Sequence, residues 1–387
     1  MIKERAFYRS GKNLNINKDN MSARIDIRKV RGLSATEIYI LAEPASQGQL
    51  EELFAQIGDI LNKENASILH ERIYTVDGAA DKVSAARRGA YGKKDDGVAP
   101  SILIGSNGQG VLISGVQVHA VAGSNKPEPI MLNGKTCGRV LKSPGLTYLT
   151  LSGITGGNSG GRARQAREML EKGESALKQF GGDFTCVPRT WLWLGDILSW
   201  YGEFNNARNQ FFTERGLIGK GSRHSMPAST GIGLGLGAGG QFGMDLTAVL
   251  EPKSSIEFLG AIGRQQCALD YGSAFSRASR ANSPAGKTVF ISGTASINVN
   301  GTTTHIGDAR GQIEATIENV RAALRDMNCG DGDVVQTVVY CKTTEVQGIF
   351  EEFKGQLDWP WVTVICDICR DDLLFEIEAA AIPQTKR

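Results

Sequence analysis

A chain of 387 residues exceeds one ordinary core and suits two or three packed units, and its 41% hydrophobic and 22% charged shares are those of an ordinary globular protein. Lys plus Arg total 43 against 41 for Asp plus Glu, so the formal net charge is +2, with no basic stripe of the kind nucleic-acid binders carry. No apolar run reaches the roughly 18 residues of a membrane helix, and the N-terminus carries no apolar core of a signal peptide.

Seven cysteines are an odd number spread along the chain, which points to reduced thiols in the cytoplasm. The first 33 residues are polar and without sustained period, and read as an arm. Glu37–Ala42 is predicted as a strand. Leu50, Leu53, Phe54, Ile57 and Leu61 recur at helical spacing and predict an amphipathic helix over Gln47–Asn65. Ser67–Val76 returns as a strand. Gly78–Pro100 reads as a loop, with Arg87–Arg88 and Lys93–Lys94 as solvated charges. Ser101–Val121 predicts a hairpin turning at Asn107–Gly108. Pro127 and Pro129 make Ser124–Lys135 a connection.

The middle third repeats the plan. Gly145–Thr155 is a predicted strand, Arg162–Phe180 a helix, and Phe184–Leu198 begins as a strand carrying Arg189, Trp191 and Trp193. Phe204–Arg215 is a second helix, and the Gly-rich Ser225–Leu250 ends as a strand. The last third does so again, with a strand over Lys287–Ile297, a helix over Asp308–Asp326, a strand over Asp333–Lys342 and a helix over Val346–Leu357. The strings GLTYLTLSG and GKTVFISG occupy the same place in two of these thirds, which points to related β-α-β units in one chain.

Trp361–Ile382 closes the fold as a strand, a turn around Arg370–Asp372, and a second strand. Alternation sets Phe375, Ile377, Ala379 and Ala381 on one face. Glu376, Glu378, Ala380 and Ile382 share the other. A carboxyl beside Ala and Ile is partly desolvated, which raises its pKa toward that of a useful acid. The alternative is that both glutamates decorate a solvated face.

Other signals carry less. Gly235, Gly237 and Gly240 match a dinucleotide-loop spacing but lack its strand and helix, and alternating Gly and Leu suit a strand with close backbone approach. Cys366 and Cys369 form a C-x-x-C with no second pair, best read as buried thiols. His70, His119, His224 and His305 are too scattered for a metal site. No cofactor and no metal is called for.

From about Ser254 to Pro383 the chain resembles the YjgF/RidA family. FSRA at Phe275–Ala278, FISGTAS at Phe290–Ser296, Gly307–Asp308 with Gln312, Asn319, DVVQTVVY at Asp333–Tyr340 and EIEA at Glu376–Ala379 carry the likeness. The resemblance implies an α+β domain that trimerises, with ligand sites in the clefts between copies. Deaminating members hold the substrate carboxylate with an arginine at the position of Thr363. No arginine occurs between Trp361 and Cys369, which argues against imino-acid deamination. Arg370 sits in the turn, within reach of Asp371 or Asp372 as an ion-pair partner.

A longer family, the chorismatases, is resembled through RTW at Arg189–Trp191, YGEFNNAR at Tyr201–Arg208, PASTGIG at Pro227–Gly233, SGTAS at Ser292–Ser296 and CDICRDDLLFE at Cys366–Glu376. That resemblance implies cleavage of chorismate to pyruvate and a hydroxybenzoate, with Glu376 protonating the enolpyruvyl methylene. Cys369 stands where a cysteine marks the members that make 3-hydroxybenzoate. Arg189, Arg208 and Arg277, with Tyr201 as a hydroxyl donor, are the expected carboxylate binders, and surface ion pairs are the alternative role for each arginine. Trp191 and Trp193 read as core or pocket wall.

The expected protein is α+β, built of repeated YjgF/RidA-like β-α-β units. It has an arm over 1–33, degenerate units over 34–253 and a complete YjgF-like domain over 254–387. Its partner is a small carboxylate, with no nucleic acid and no membrane, in a homo-oligomer or an intrachain pseudo-trimer. The second functional reading is a non-catalytic or differently specific carboxylate binder.

Overall fold

The computed structural model describes residues 23–44, 50–105, 112–218, 225–237, 240–252 and 255–383. They form three consecutive units, each a six-stranded sheet with two helices over its outer face.

The first unit runs β1 (Arg24–Arg31), β2 (Ala35–Glu43), α1 (Leu50–Lys63), β3 (Ser67–Thr75), α2 (Ala80–Tyr91), β4 (Ser101–Ile104) and β5 (Ile113–Gly123). The second runs β6 (Glu128–Leu132), β7 (Lys135–Ser143), β8 (Leu146–Ile154), α3 (Arg162–Lys178), β9 (Arg189–Leu194), α4 (Tyr201–Glu214), β10 (Ala228–Ile232), β11 (Gly235–Leu236) and β12 (Phe242–Glu251). The third runs β13 (Glu257–Leu259), β14 (Ala278–Ser283), β15 (Gly286–Ala295), α5 (Ala309–Asp326), β16 (Val334–Cys341), α6 (Thr344–Glu351), β17 (Trp361–Ile365) and β18 (Phe375–Ala381).

One topology underlies all three. A hairpin leads through a helix to a strand, a second helix crosses to a parallel neighbour, and the final strand returns antiparallel between hairpin and crossover. The expectation of repeated units therefore holds across the described chain.

Five local expectations need correction. The reading of residues 1–33 as an arm fails over Arg24–Arg31, where β1 pairs with β2 along its whole length; residues 1–22 lie outside the described residues. The expected loop over 78–100 contains α2, whose inner stripe of Val83, Arg87 and Tyr91 replaces one apolar position by a buried arginine. Arg87 is no solvated charge: its guanidinium pairs with Glu71 at 2.7 Å and Asp95 at 3.0 Å. The expected hairpin over 101–121 does not form. β4 and β5 both pair with β3, which lies between them, and Asn107–Gly108 fall outside the described residues. The expected connection over 124–135 holds β6, which tolerates Pro129 because it is an edge strand.

The inner faces of the three sheets meet in a shared core. Tyr39, Tyr74, Leu103, Trp191, Trp193, Ile232, Phe290, Val338, Val362 and Ile382 pack there, so each unit completes the others. Seams between units are stitched by backbone. β11 leaves the second unit and pairs with β4 of the first, and Gly233 and Ala228 bridge to Asp367 and Ser276 of the third. Gly237 must be glycine at the first seam, since a Cβ would lie 2.8 Å from Ala80 and Ile102 side-chain atoms.

Candidate active site

The cavity that gathers Tyr201, Arg208, Arg277, Cys369 and Glu376 lies between the second and third units and encloses about 190 Å³. The second unit supplies Tyr201, Asn205 and Arg208 from α4, with Ser229 and Gly231 from β10. The third supplies Tyr271, Phe275 and Arg277 ahead of β14, Gly293 and Ala295 from β15, and Cys369, Arg370 and Glu376 from the closing segment.

Glu376 and Glu378 do not decorate a solvated face. Each is 4% exposed. They differ in what surrounds them. Glu378 accepts hydrogen bonds from Arg72 Nη1 at 3.2 Å, Trp191 Nε1 at 2.9 Å and Arg189 Nη2 at 2.8 Å. Glu376 faces the cavity, and among the described residues no donor hydrogen-bonds its carboxyl. Burial, then the neighbouring Glu378 charge, pushes Glu376 up to about 8 against the opposing fields of Arg189, Arg277 and Arg370. At neutral pH it holds a proton it can give away.

The bulge in β15 between Ile291 and Thr294 makes room for that carboxyl. A Cβ on Gly293 would lie 2.1 Å from Glu376 Oε1, so only glycine lets the acid reach the cavity there.

Arg208 and Arg277 are 2% and 3% exposed, not surface charges. Arg208 Nη2 donates to Asn205 Oδ1 at 2.7 Å, while its buried Nε has no partner among the described residues. Arg277 donates to the Gln266 carbonyl at 3.0 Å and to the Tyr271 hydroxyl. Arg370 joins them: it donates to the Gly301 carbonyl at 2.9 Å instead of pairing with Asp371 or Asp372. Among the described residues none of these three guanidinium groups has a carboxylate partner. Three cations in a half-enclosed space without counter-charge are costly unless a ligand supplies anions.

Tyr201 also lines the cavity, and burial raises its hydroxyl above the ordinary tyrosine value, so it is a neutral donor. Cys369 lines it with a thiol that burial and Glu376 push up to about 12, so the group is a thiol and not a thiolate. Arg189 does not line the cavity. It is spent on Glu378 and on Thr230 Oγ1 at 2.6 Å, behind the wall, so its expected contact with a ligand is not what the geometry offers. Trp191 and Trp193 belong to the shared core. Thr363 lies on the seam toward the first unit, where its N–H donates to Glu43 at 3.0 Å, away from this cavity.

Tyr271, Phe275, Asn205 and Arg370 escaped the sequence reading as ligand-facing residues. Asn205 lies inside the YGEFNNAR string at helical distance from Arg208, and that spacing could have found it. Tyr271 ends a single 3-10 turn and Arg370 sits in a bend, both too short to leave a period to read.

Register identifies the same place in the other two clefts. Glu376 stands opposite Tyr340, as Gly243 stands opposite Trp193 and Gly115 opposite Tyr74. At both equivalent positions a neighbouring side chain takes the space beside the strand. A Cβ on Gly115 would meet Val362 at 2.3 Å, and one on Gly243 would meet Leu236 at 2.4 Å. Of the three positions related by the repeat, one carries an acid and open space.

Residues 268–383 match the family model described as Endoribonuclease L-PSP. A chorismatase crystal structure aligns over 82% of this chain and 93% of its own, at 20% identity and TM-score 0.61, which shows a shared fold. A YjgF-family protein from Mycobacterium tuberculosis aligns over 33% of this chain and 98% of its own at 21% identity and TM-score 0.26. The YjgF gene product of E. coli aligns over 28% and 88% at 22% identity and TM-score 0.23. A search of curated proteins returned no match. The chain therefore shares the fold of that chorismatase structure, and its residues 268–383 match the Endoribonuclease L-PSP family model.

Proposed function

We propose that this chain cleaves chorismate, or a close analogue, to pyruvate and a hydroxybenzoate. One observation carries the reading: a protonated, cavity-facing Glu376 stands with three guanidinium groups that have no carboxylate partner among the described residues. Chorismate is a dianion with an enol ether, and it needs both.

In this reading Arg208, Arg277 and Arg370 hold the two carboxylates, and Tyr201 donates a hydrogen bond. Glu376 transfers its proton to the terminal methylene carbon of the enolpyruvyl group, as enol ether hydrolysis requires. The oxocarbenium ion forms beside the Glu376 carboxylate left behind. Water adds to it and its proton returns to the Glu376 carboxylate, the hemiketal collapses to pyruvate and a ring alcohol, and loss of water from the ring gives the aromatic acid. The water consumed equals the water returned. Cys369, as a neutral thiol against the ligand, shapes which hydroxybenzoate forms. All seven cysteines are free, which supports a reducing, cytoplasmic setting for the reaction.

The same three arginines also suit a binder of small dicarboxylates that does no chemistry. Purified protein incubated with chorismate, with pyruvate and aromatic acids resolved by chromatography, separates the two. Pyruvate released well above the buffer rate supports the enzyme. No release, with calorimetric binding of a dicarboxylate, leaves the binder standing.

A further inference from the structure

Glu376 and Glu378 project from the same face of β18, two residues apart, and one proton between them has two places to sit. The structure assigns that choice to a residue of the first unit: we propose that Arg72 is a positioning residue which, with Arg189 and Trp191, holds Glu378 as the carboxylate and so leaves the proton on Glu376. The proposal deepens the reading above, on which it rests for the use made of that proton.

The geometry brings one contribution from each unit to a single point. Arg72 comes from β3, Arg189 and Trp191 from β9, and Glu378 from β18. Arg72 is 2% exposed and its guanidinium lies over the Trp191 ring at 4.2 Å, while Trp191 donates to the same Glu378 oxygen that Arg72 contacts. Both Glu378 oxygens are therefore held by donors, two of them cationic, and a proton on Glu378 would have to displace them. Glu376 has no such donors among the described residues.

The charged and titratable groups around Glu376 come from each packed element. Glu378 lies on its own strand, Arg189 on β9, Tyr201 on α4, Arg277 ahead of β14, Cys366 just past β17, and Cys369 and Arg370 in the closing turn. Arg72 does not line the cavity, and its hydrogen bond reaches Glu378, not Glu376.

Loss of Arg72 should move the proton, not merely weaken the fold. The readout is the infrared band of a protonated carboxyl at neutral pH, assigned by substitution. In the otherwise wild-type protein the band should vanish with Glu376→Gln and persist with Glu378→Gln. On the Arg72→Met background a band should survive Glu376→Gln, because Glu378 now carries the proton. Turnover of Arg72→Met should fall at least about 10-fold with little change in KM, and Arg72→Lys should restore both the band assignment and most of the rate. A band on the Arg72→Met background that still vanishes completely with Glu376→Gln overturns the proposal. If Arg72→Met does not fold, Trp191→Phe removes a donor from the same oxygen, and part of the band should then survive Glu376→Gln; none surviving overturns it equally. The infrared assignment needs no substrate, so a protein that leaves chorismate intact defeats the proposed function while this test still decides where the proton sits.

Discussion

Glu376 rests near 8, against 4.5 for an ordinary glutamate, because burial and Glu378 oppose its charge. Between those two values the folded chain holds a proton that the unfolded chain has released, so stability falls as pH rises through that window. Glu376→Gln removes the buried ionisation. Wild-type protein should lose more melting temperature between pH 6 and pH 9 than the variant does; parallel slopes would show that the carboxyl does not titrate there. The same proton is the reagent, so the pyruvate-releasing rate should decline above about pH 8, where Glu376 ionises. A rate that climbs through pH 9 is incompatible with this acid. Cys369, pushed up to about 12, is a wall and not a nucleophile. Cys369→Ala should change the aromatic product more than it changes pyruvate release, as chromatography of both products would record.

Strand β18 explains what could be read from the chain in advance. Its period-two alternation placed Glu376 and Glu378 on the face opposite Phe375 and Ile377, and the two faces do enter different cores. What alternation did not reveal is the difference between the glutamates. That depends on Arg72, Arg189 and Trp191, which reach Glu378 from other units and leave no local trace in sequence. The same limit hid α2, whose buried stripe contains Arg87 paired with Glu71. It also hid the carboxylate that Arg189 holds, which is Glu378. β15 carries the sharpest test at this scale. Gly293→Ala would place a methyl 2.1 Å from Glu376 Oε1 and force the acid aside. A displacement near 1 Å costs about 10²-fold in rate, so kcat should drop by roughly that factor with the circular dichroism spectrum unchanged. Near-normal turnover in the folded variant contradicts the placement of the acid.

The repeated strings GLTYLTLSG and GKTVFISG announced related units, and three such units share one central core. The repeat is not functional symmetry. Gly115 and Gly243 replace the acid in two clefts, and Val362 and Leu236 fill the space it would face. Calorimetry with a non-reacting dicarboxylate should therefore return one site per chain, and a stoichiometry of two or three would show that the other two clefts bind as well. The central claim is that one acid in one cleft breaks the enol ether, and Glu376→Gln tests it most directly. With purified wild-type and variant proteins, pyruvate release from chorismate is followed alongside calorimetric affinity for the dicarboxylate. Turnover should fall by at least about 10²-fold with affinity nearly unchanged, because arginines and not Glu376 hold the ligand. Equal turnover by the two proteins would contradict the central claim.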